Sequence, residues 1–216
     1  MNKDQNILIF RIFVCLTGWF SILIRILLDI ESILNGSDAV FLLCNTFSYF
    51  TVQSNVFIAI WLTLIIIYRN KDEKPSCLSS IIQGALTLYI TVTFLVFAIF
   101  LSAIYHPTGW EAVINITMHY IIPIAFIIDW LITGTDVQYK WKYILYWLIY
   151  PLSYLVYTLI RGFFINFYPY PFLNLNILSL SELIFYIIIL VCLTILLSSL
   201  YIFVNNMIYN KKSSNK

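Results

Sequence analysis

The sequence predicts an all-α membrane protein: one domain, residues 1–216, folded as a six-transmembrane-helix bundle with both termini cytoplasmic. Three observations carry that expectation. Hydrophobic residues make up 62% of the chain and charged residues only 10%, where an ordinary soluble domain is about a quarter charged. The apolar residues fall into six runs long enough to span a hydrocarbon core about 30 Å thick. Basic residues gather on alternate connections between these runs, the asymmetry that orients helices in a membrane.

The first run covers about residues 7–28 and is interrupted by Arg11 and Arg25. No small-residue cleavage site follows it, so it reads as a retained helix and not as a removed signal peptide. The two arginines lie 14 residues apart, about 21 Å along a helix, so they can snorkel to opposite faces of the core. Snorkelling accounts for Arg11. Arg25 has a second option, because Asp29 sits four residues on and shares its face. Residues 31–45 read as a short acidic connection, with Asn35-Gly36-Ser37-Asp38 as its turn.

The second run spans about 47–68 and ends at a charged break, Arg69-Asn70-Lys71-Asp72-Glu73-Lys74. The third takes about 79–105, with Ser80 and Gly84 as a small-xxx-small helix contact. A turn around Tyr105-His106-Pro107 leads to the fourth, about 112–132. The fifth covers about 142–160 and is loosened near Pro151. A long connection then contains Tyr168-Pro169-Tyr170-Pro171-Phe172-Leu173-Asn174. Each proline fixes its own φ and pushes the residue before it to extended geometry. A rigid, non-helical cover over the outer mouth of the bundle is expected, with Phe172 and Leu173 dipping toward the apolar interior; an interfacial aromatic anchor is the plainer alternative. The sixth run covers about 181–204, before a polar lysine tail.

Lys3, Arg69, Lys71, Lys74, Lys140, Lys142, Lys211, Lys212 and Lys216 all fall on one set of alternating connections and the two ends. The other connections carry only Arg161, at the edge of the fifth run. That places both termini inside and makes the protein multi-pass in the cell membrane. The four cysteines, Cys15, Cys44, Cys77 and Cys192, have no CxxC spacing and form neither a metal signature nor an evident disulfide framework. No nucleotide, haem or metal motif is present, so no cofactor is expected. A net charge of +2 gives no reason to expect nucleic acid. Membrane lipids are the expected partners; protein partners are not indicated.

Polar groups inside the apolar runs carry the functional signal, because bilayer hydrocarbon offers them no water. The densest stretch is Phe47-Ser48-Tyr49-Phe50-Thr51-Val52-Gln53-Ser54-Asn55. Thr51, Ser54 and Asn55 share one helical face, while Gln53 points elsewhere. Helix-to-helix glue is the plain explanation. Counting along the helices adds a second. His119 lies about 10 Å below the outer boundary in the fourth helix, and Thr51 lies at a similar depth in the second. Arg25, Asp29, Arg161 and Glu182 fall in the same leaflet. Asp129 alone lies toward the inner side, within reach of Lys140 or Lys142. Asn115, one turn before His119, is on its face, and Pro123, one turn after, opens the helix there. A hydroxyl, a histidine and several amides at one level suit a nucleophile–base site. Thr51 would be the nucleophile and His119 the base, with Gln53, Ser54, Asn55, Asn115 and Arg161 as substrate contacts. Asn55, Gln53 and Arg161 are the available donors to an oxyanion.

The stretches Tyr49 to Asn55, Met118-His119-Tyr120-Ile121-Ile122-Pro123 with Asp129-Trp130, and Tyr168 to Asn174 resemble, in that order, the bacterial six-helix membrane proteins of the Pr6Pr family. The resemblance covers essentially the whole chain. That family is in turn distantly similar to the androgen-induced membrane hydrolases of animals. Those enzymes cleave fatty acid esters of hydroxy fatty acids with a membrane-embedded threonine and histidine. The resemblance implies that Thr51 matches the threonine and His119 the histidine. The motifs around them differ, so the substrate does not carry over.

Three functions stay open at this stage. One is an intramembrane hydrolase of lipid esters; another is an acyltransferase using the same pair. The third is a non-catalytic small transporter or scaffold, supported by Arg25, Asp29, Arg161, Glu182 and the proline-broken helices. No internal repeat links the two three-helix halves.

Overall fold

A computed structural model describes residues 2–134 and 136–214; Lys216, counted above with the basic tail, lies outside them. The chain forms α1 (Lys3–Leu34), α2 (Ala39–Thr46), α3 (Phe50–Ile67) and α4 (Ser80–Val96), which continues into a π-helical turn at Phe97–Leu101. Then come α5 (Gly109–Ile116), a second π-turn at Thr117–Ile121, and α6 (Ile122–Thr133). α7 (Tyr143–Ile165) and α8 (Leu180–Ser214) complete the chain. The protein is all-α, and among the described residues six helical segments are long and apolar enough to cross a membrane: α1, α3, α4 with its π-turn, the α5–α6 unit, α7 and α8. Arg11 of α1 meets Thr133 of α6, and Asn206 of α8 meets Tyr139 just beyond α6, so the start of α1 and the end of α8 lie at one end of the bundle, the terminal side.

Several boundaries differ from expectation, each for a local reason. Residues 31–45 are not a connection: α1 runs on to Leu34, stops at Gly36 with its φ of +100°, and α2 follows. Positive φ suits glycine because it has no Cβ to clash. Asp38 starts α2 by accepting from the Phe41 N–H at 2.7 Å, a side-chain cap on an otherwise unpaired donor. α7 passes the expected end at 160 and stops at Asn166, which is left-handed with φ 54°. α8 carries through Lys211 and Lys212 to Ser214.

Pro151 sits inside α7 without breaking it. It has no N–H for the Trp147 carbonyl, and that carbonyl instead accepts from the Tyr89 hydroxyl of α4 at 3.0 Å. The small residues Ser80 and Gly84 do receive a close neighbour, but it is aromatic. A Cβ on Gly84 would stand 2.8 Å from the Tyr139 hydroxyl, which donates to the Ser80 carbonyl at 2.5 Å. Tyr139 comes from the α6–α7 connection, so the notch seats a side chain and not a helix backbone.

On the terminal side the polar groups close on one another. Arg11 grips Asp129 through Nε to Oδ1 at 2.7 Å and Nη2 to Oδ2 at 3.0 Å, and also donates to Thr133 Oγ1 at 2.8 Å. Gln83 adds a bond to Asp129 Oδ2 at 2.9 Å. Two expectations are corrected. Arg11 does not snorkel, and neither Lys140 nor Lys142, both exposed, is the partner of Asp129. The guanidinium presents a planar fork that fits a carboxylate with two bonds, which a point-like ammonium cannot.

Candidate active site

The candidate site lies on the side away from the termini, and it begins with a broken helix. Between α2 and α3 the chain turns at residues 47–49, so α3 starts with donors that have no carbonyl one turn back. Tyrosines supply the acceptors. The Tyr154 hydroxyl accepts from the Phe50 N–H at 3.2 Å and donates to the Ser48 carbonyl at 2.8 Å. Tyr157 bonds the Ser48 hydroxyl at 3.0 Å, and Tyr150 donates to Gln53 Oε1 at 2.8 Å. Tyr150, Tyr154 and Tyr157 follow i, i+4, i+7, a single stripe of α7. The next donor, the Thr51 N–H, reaches the Tyr170 hydroxyl at 3.3 Å.

His119 is placed by the second break. In a regular α-helix the Ile122 N–H would meet the Met118 carbonyl; here it bonds one residue further back, to Thr117. The π pattern would next pair Met118 with residue 123, but that residue is Pro123 and has no N–H. The orphaned Met118 carbonyl accepts instead from Asn55 Nδ2 of α3 at 3.2 Å, and the same amide donates to the Thr51 carbonyl at 2.8 Å. One side chain thus ties the backbone at Thr51 to the backbone beside His119. π-turns inside α-helices occur often at functional sites.

Across this tie, Thr51 Oγ1 stands 3.2 Å from His119 Nε2. His119 Nδ1 lies 3.0 Å from the Asn115 carbonyl. A carbonyl only accepts, so the proton of the neutral ring belongs on Nδ1 and the Nε2 lone pair faces the threonine hydroxyl. The Phe97 ring stacks on the imidazole at 3.9 Å and 24° and holds its plane. Tyr170 OH lies 3.4 Å from Thr51 Oγ1. Burial pushes the Tyr170 phenol up to about 12, against the hydrogen bonds from Thr51, so it stays protonated and able to donate.

Thr51 and His119 open onto a cavity of about 340 Å³, whose wall includes Asn115, Tyr170, Arg25 and Glu111. Arg25 holds Asp29 at 2.5 Å and Glu111 at 2.6 Å. Several buried polar atoms nearby have no partner: Arg25 Nε, Asp29 Oδ2, Asn55 Oδ1 and Asn115 Oδ1. Such atoms are costly unless something pairs with them.

The structure therefore brings together Thr51, His119, Asn55 and Asn115, although Asn115 orients the ring through its backbone carbonyl. The other expected contacts are elsewhere. Gln53 bonds the Phe47 carbonyl at 2.9 Å as well as Tyr150, and Ser54 bonds Thr93 of α4 at 3.0 Å. Arg161 donates to Asn45 at 2.5 Å and lies over the Phe167 ring, outside the cavity wall. Two residues at the site are not marked by the sequence: Tyr170, whose segment is legible as a cover without showing where its hydroxyl points, and Phe97, which no pattern marks. The cover matches expectation in part: Phe172 and Leu173 are buried, but Pro171–Leu173 closes into a short 3-10 helical turn where a non-helical segment was expected, since proline at the first helical position has no N–H to lose. Comparison of the chain with family models, curated proteins and solved structures gives no match.

Proposed function

We propose that this protein is an intramembrane hydrolase of lipid esters, with Thr51 as nucleophile and His119 as general base. The observation that carries the reading is the 3.2 Å contact from Thr51 Oγ1 to the lone-pair nitrogen of a ring whose other nitrogen is locked. Threonine is a weak nucleophile without an adjacent base. His119 takes the hydroxyl proton as Thr51 attacks the ester carbonyl. The carbonyl oxygen becomes an oxyanion beside the Tyr170 hydroxyl at the start of α3, where the helix N-terminus also favours negative charge. Collapse breaks the ester bond, and His119 returns the proton to the leaving alcohol. Water, deprotonated by the same ring, then attacks the acyl-threonine, releasing the acid and restoring the hydroxyl. A second alcohol in place of water makes the same site an acyltransferase.

Two of the four charges behind a transport reading are engaged locally. Glu182 forms a capping box with Ser179 at the start of α8, and Arg161 is held by Asn45. The basic residues favour a cell-membrane protein with cytoplasmic termini, so the site faces the outer leaflet. Cysteine labelling in intact cells checks this: Ser37→Cys, Thr108→Cys and Asn174→Cys should react with an impermeant reagent, and reaction of Ser76→Cys instead would reverse the orientation. The resemblance to the Pr6Pr family and, beyond it, to threonine hydrolases agrees with this assignment of roles. A fluorophosphonate probe tests the chemistry. It should label the wild-type protein at Thr51 and leave Thr51→Ala and His119→Ala unlabelled; absence of label on well-folded wild-type protein counts against the reading.

A further inference from the structure

Thr51 and Tyr170 line more than one cavity. Behind them, between α4, α7 and α8, lies a second chamber of about 80 Å³. Its walls are mostly apolar, with Val92 and Val96 from α4, Leu152 and Leu155 from α7, and Leu190 and Val191 from α8. The polar side chains among its walls are nearly all occupied. Thr93 Oγ1 donates to the Tyr89 carbonyl at 3.2 Å, Tyr154 to Ser48 at 2.8 Å, and Thr194 to the Leu190 carbonyl at 2.7 Å. Only the Thr51 and Tyr170 hydroxyls, at the end shared with the larger cavity, keep capacity for a ligand. A polar ligand placed deeper would lose its water and find no partner. Leu152, a wall residue, is 41% exposed, so the chamber's wall at α7 is also part of the outer surface of the bundle.

We propose that this chamber seats the first few methylenes of the acyl group's alkyl chain, the rest of the chain passing laterally into the bilayer beside α7 and α8. The inference rests on the hydrolase reading of Thr51 and adds a direction to it. The ester carbonyl sits at Thr51, the acyl chain begins among α4, α7 and α8, and the alcohol portion occupies the cavity that Arg25 borders. An alkyl chain is the ligand this lining suits, since it asks for no hydrogen bond and gains by leaving water or by packing against the walls. Acyl groups longer than acetyl are then recognised at α7 and α8, away from the reacting atoms, and residues 190 and 191 act on specificity alone.

The test uses the full-length protein in membranes and a palmitate methyl ester carrying a diazirine a few carbons from the carboxyl group. Photolysis should place label on peptides containing Leu152, Leu190 and Val191, in the wild type and in Thr51→Ala alike. Leu190→Phe and Val191→Phe fill the chamber from two positions, and either should cut that label several-fold without changing label on lipid-facing α1. With nitrophenyl esters, the same variants should lower the palmitoyl-to-acetyl rate ratio by about tenfold or more, as expected when a pocket loses room for methylenes. If the wild type hydrolyses neither ester, the hydrolase reading fails and the photolabel alone judges the chamber. Label spread evenly over lipid-facing helices, and undiminished in both Phe variants, overturns the proposal.

Discussion

Two polar clusters sit at opposite ends of this bundle, and they use their hydrogen bonds differently. The Arg11–Asp129–Gln83–Thr133 cluster ties α1, α4 and α6 with donors and acceptors that all face one another. None of its atoms is among the buried groups without a partner. Both clusters border open space, the first through Arg11 and Thr133 and the second through Thr51 and Tyr170, but the Thr51–His119–Tyr170 cluster has longer contacts, 3.2 to 3.4 Å, and unpaired buried atoms nearby. A saturated network has nothing left to offer a ligand, so it serves packing. An unsaturated network beside empty space is the arrangement a binding site requires. The distinction lies in what remains unpaired, not in residue type, since both clusters contain a threonine, an amide and a charged or titratable group.

The largest expected effect breaks the saturated cluster. Asp129→Ala leaves the Arg11 guanidinium without its carboxylate, the removal of one partner of a buried pair, which costs about 3–5 kcal/mol. Natural stabilities are only about 5–15 kcal/mol, so folded yield and detergent-solubilised Tm should both fall steeply. An Asp129→Ala protein with unchanged Tm would show that the cluster is not structural glue.

The second effect comes at the other cluster and should be its mirror image. His119→Ala should lower ester hydrolysis by about 10²- to 10⁴-fold, the range for loss of a general base, while Tm changes little, because the side chain borders a cavity. Thr51→Ala should match it in rate, and Thr51→Ser should retain part of the activity. A Tm loss comparable with that of Asp129→Ala would place the pair with the structural polar groups.

Much of this contrast was legible in the sequence, and what was missed shares a physical cause. Counting 1.5 Å per residue from each helix end puts Thr51 and His119 at one depth, because rise along an axis is a property of a single helix. Which way each side chain turns around its axis depends on neighbours far away in sequence. Arg11 and Asp129 are 118 residues apart, and nothing in either segment says that α1 and α6 turn those faces together. Gln53 and Arg161 were expected at the site on depth alone, and both point to other partners. Pro123 announces an opened helix, yet the answering group, Asn55, lies on α3. Tyr170 shows the same limit: two prolines indicate an extended cover, but the hydroxyl's target depends on the path of the whole segment.

Tyr170 supplies a third and smaller effect. If its hydroxyl donates to the oxyanion, Tyr170→Phe should lower kcat by about 10²- to 10³-fold, as for other oxyanion donors, with KM nearly unchanged. The ring remains to stack on Phe172 at 5.1 Å, so the cover should stay in place; the Thr51 N–H loses its acceptor, and Tm should fall by the equivalent of about 1–3 kcal/mol. A rise in KM with unchanged kcat would assign the hydroxyl to substrate binding instead.

Asn55 belongs to both kinds of cluster, and its effect should be the smallest and the most discriminating. Its Nδ2 is saturated by the carbonyls of Thr51 and Met118, like the amide of Gln83, while its Oδ1 is unpaired, like Asn115 Oδ1. Asn55→Ala leaves the Met118 carbonyl buried without a donor, because neither Ile122 nor Pro123 can supply one. The cost should be about 1–3 kcal/mol, with a fall in kcat as the register between α3 and the π-turn loosens. Asn55→Asp separates the two halves of the amide. A carboxylate keeps the shape and the Oδ1 acceptor but turns an acceptor toward two carbonyls, so it should be less stable than Asn55→Ala and no more active. If Asn55→Asp is the better tolerated of the two, the unpaired Oδ1 matters more than the bridge, and the positioning of His119 must come from Phe97 and the Asn115 carbonyl alone.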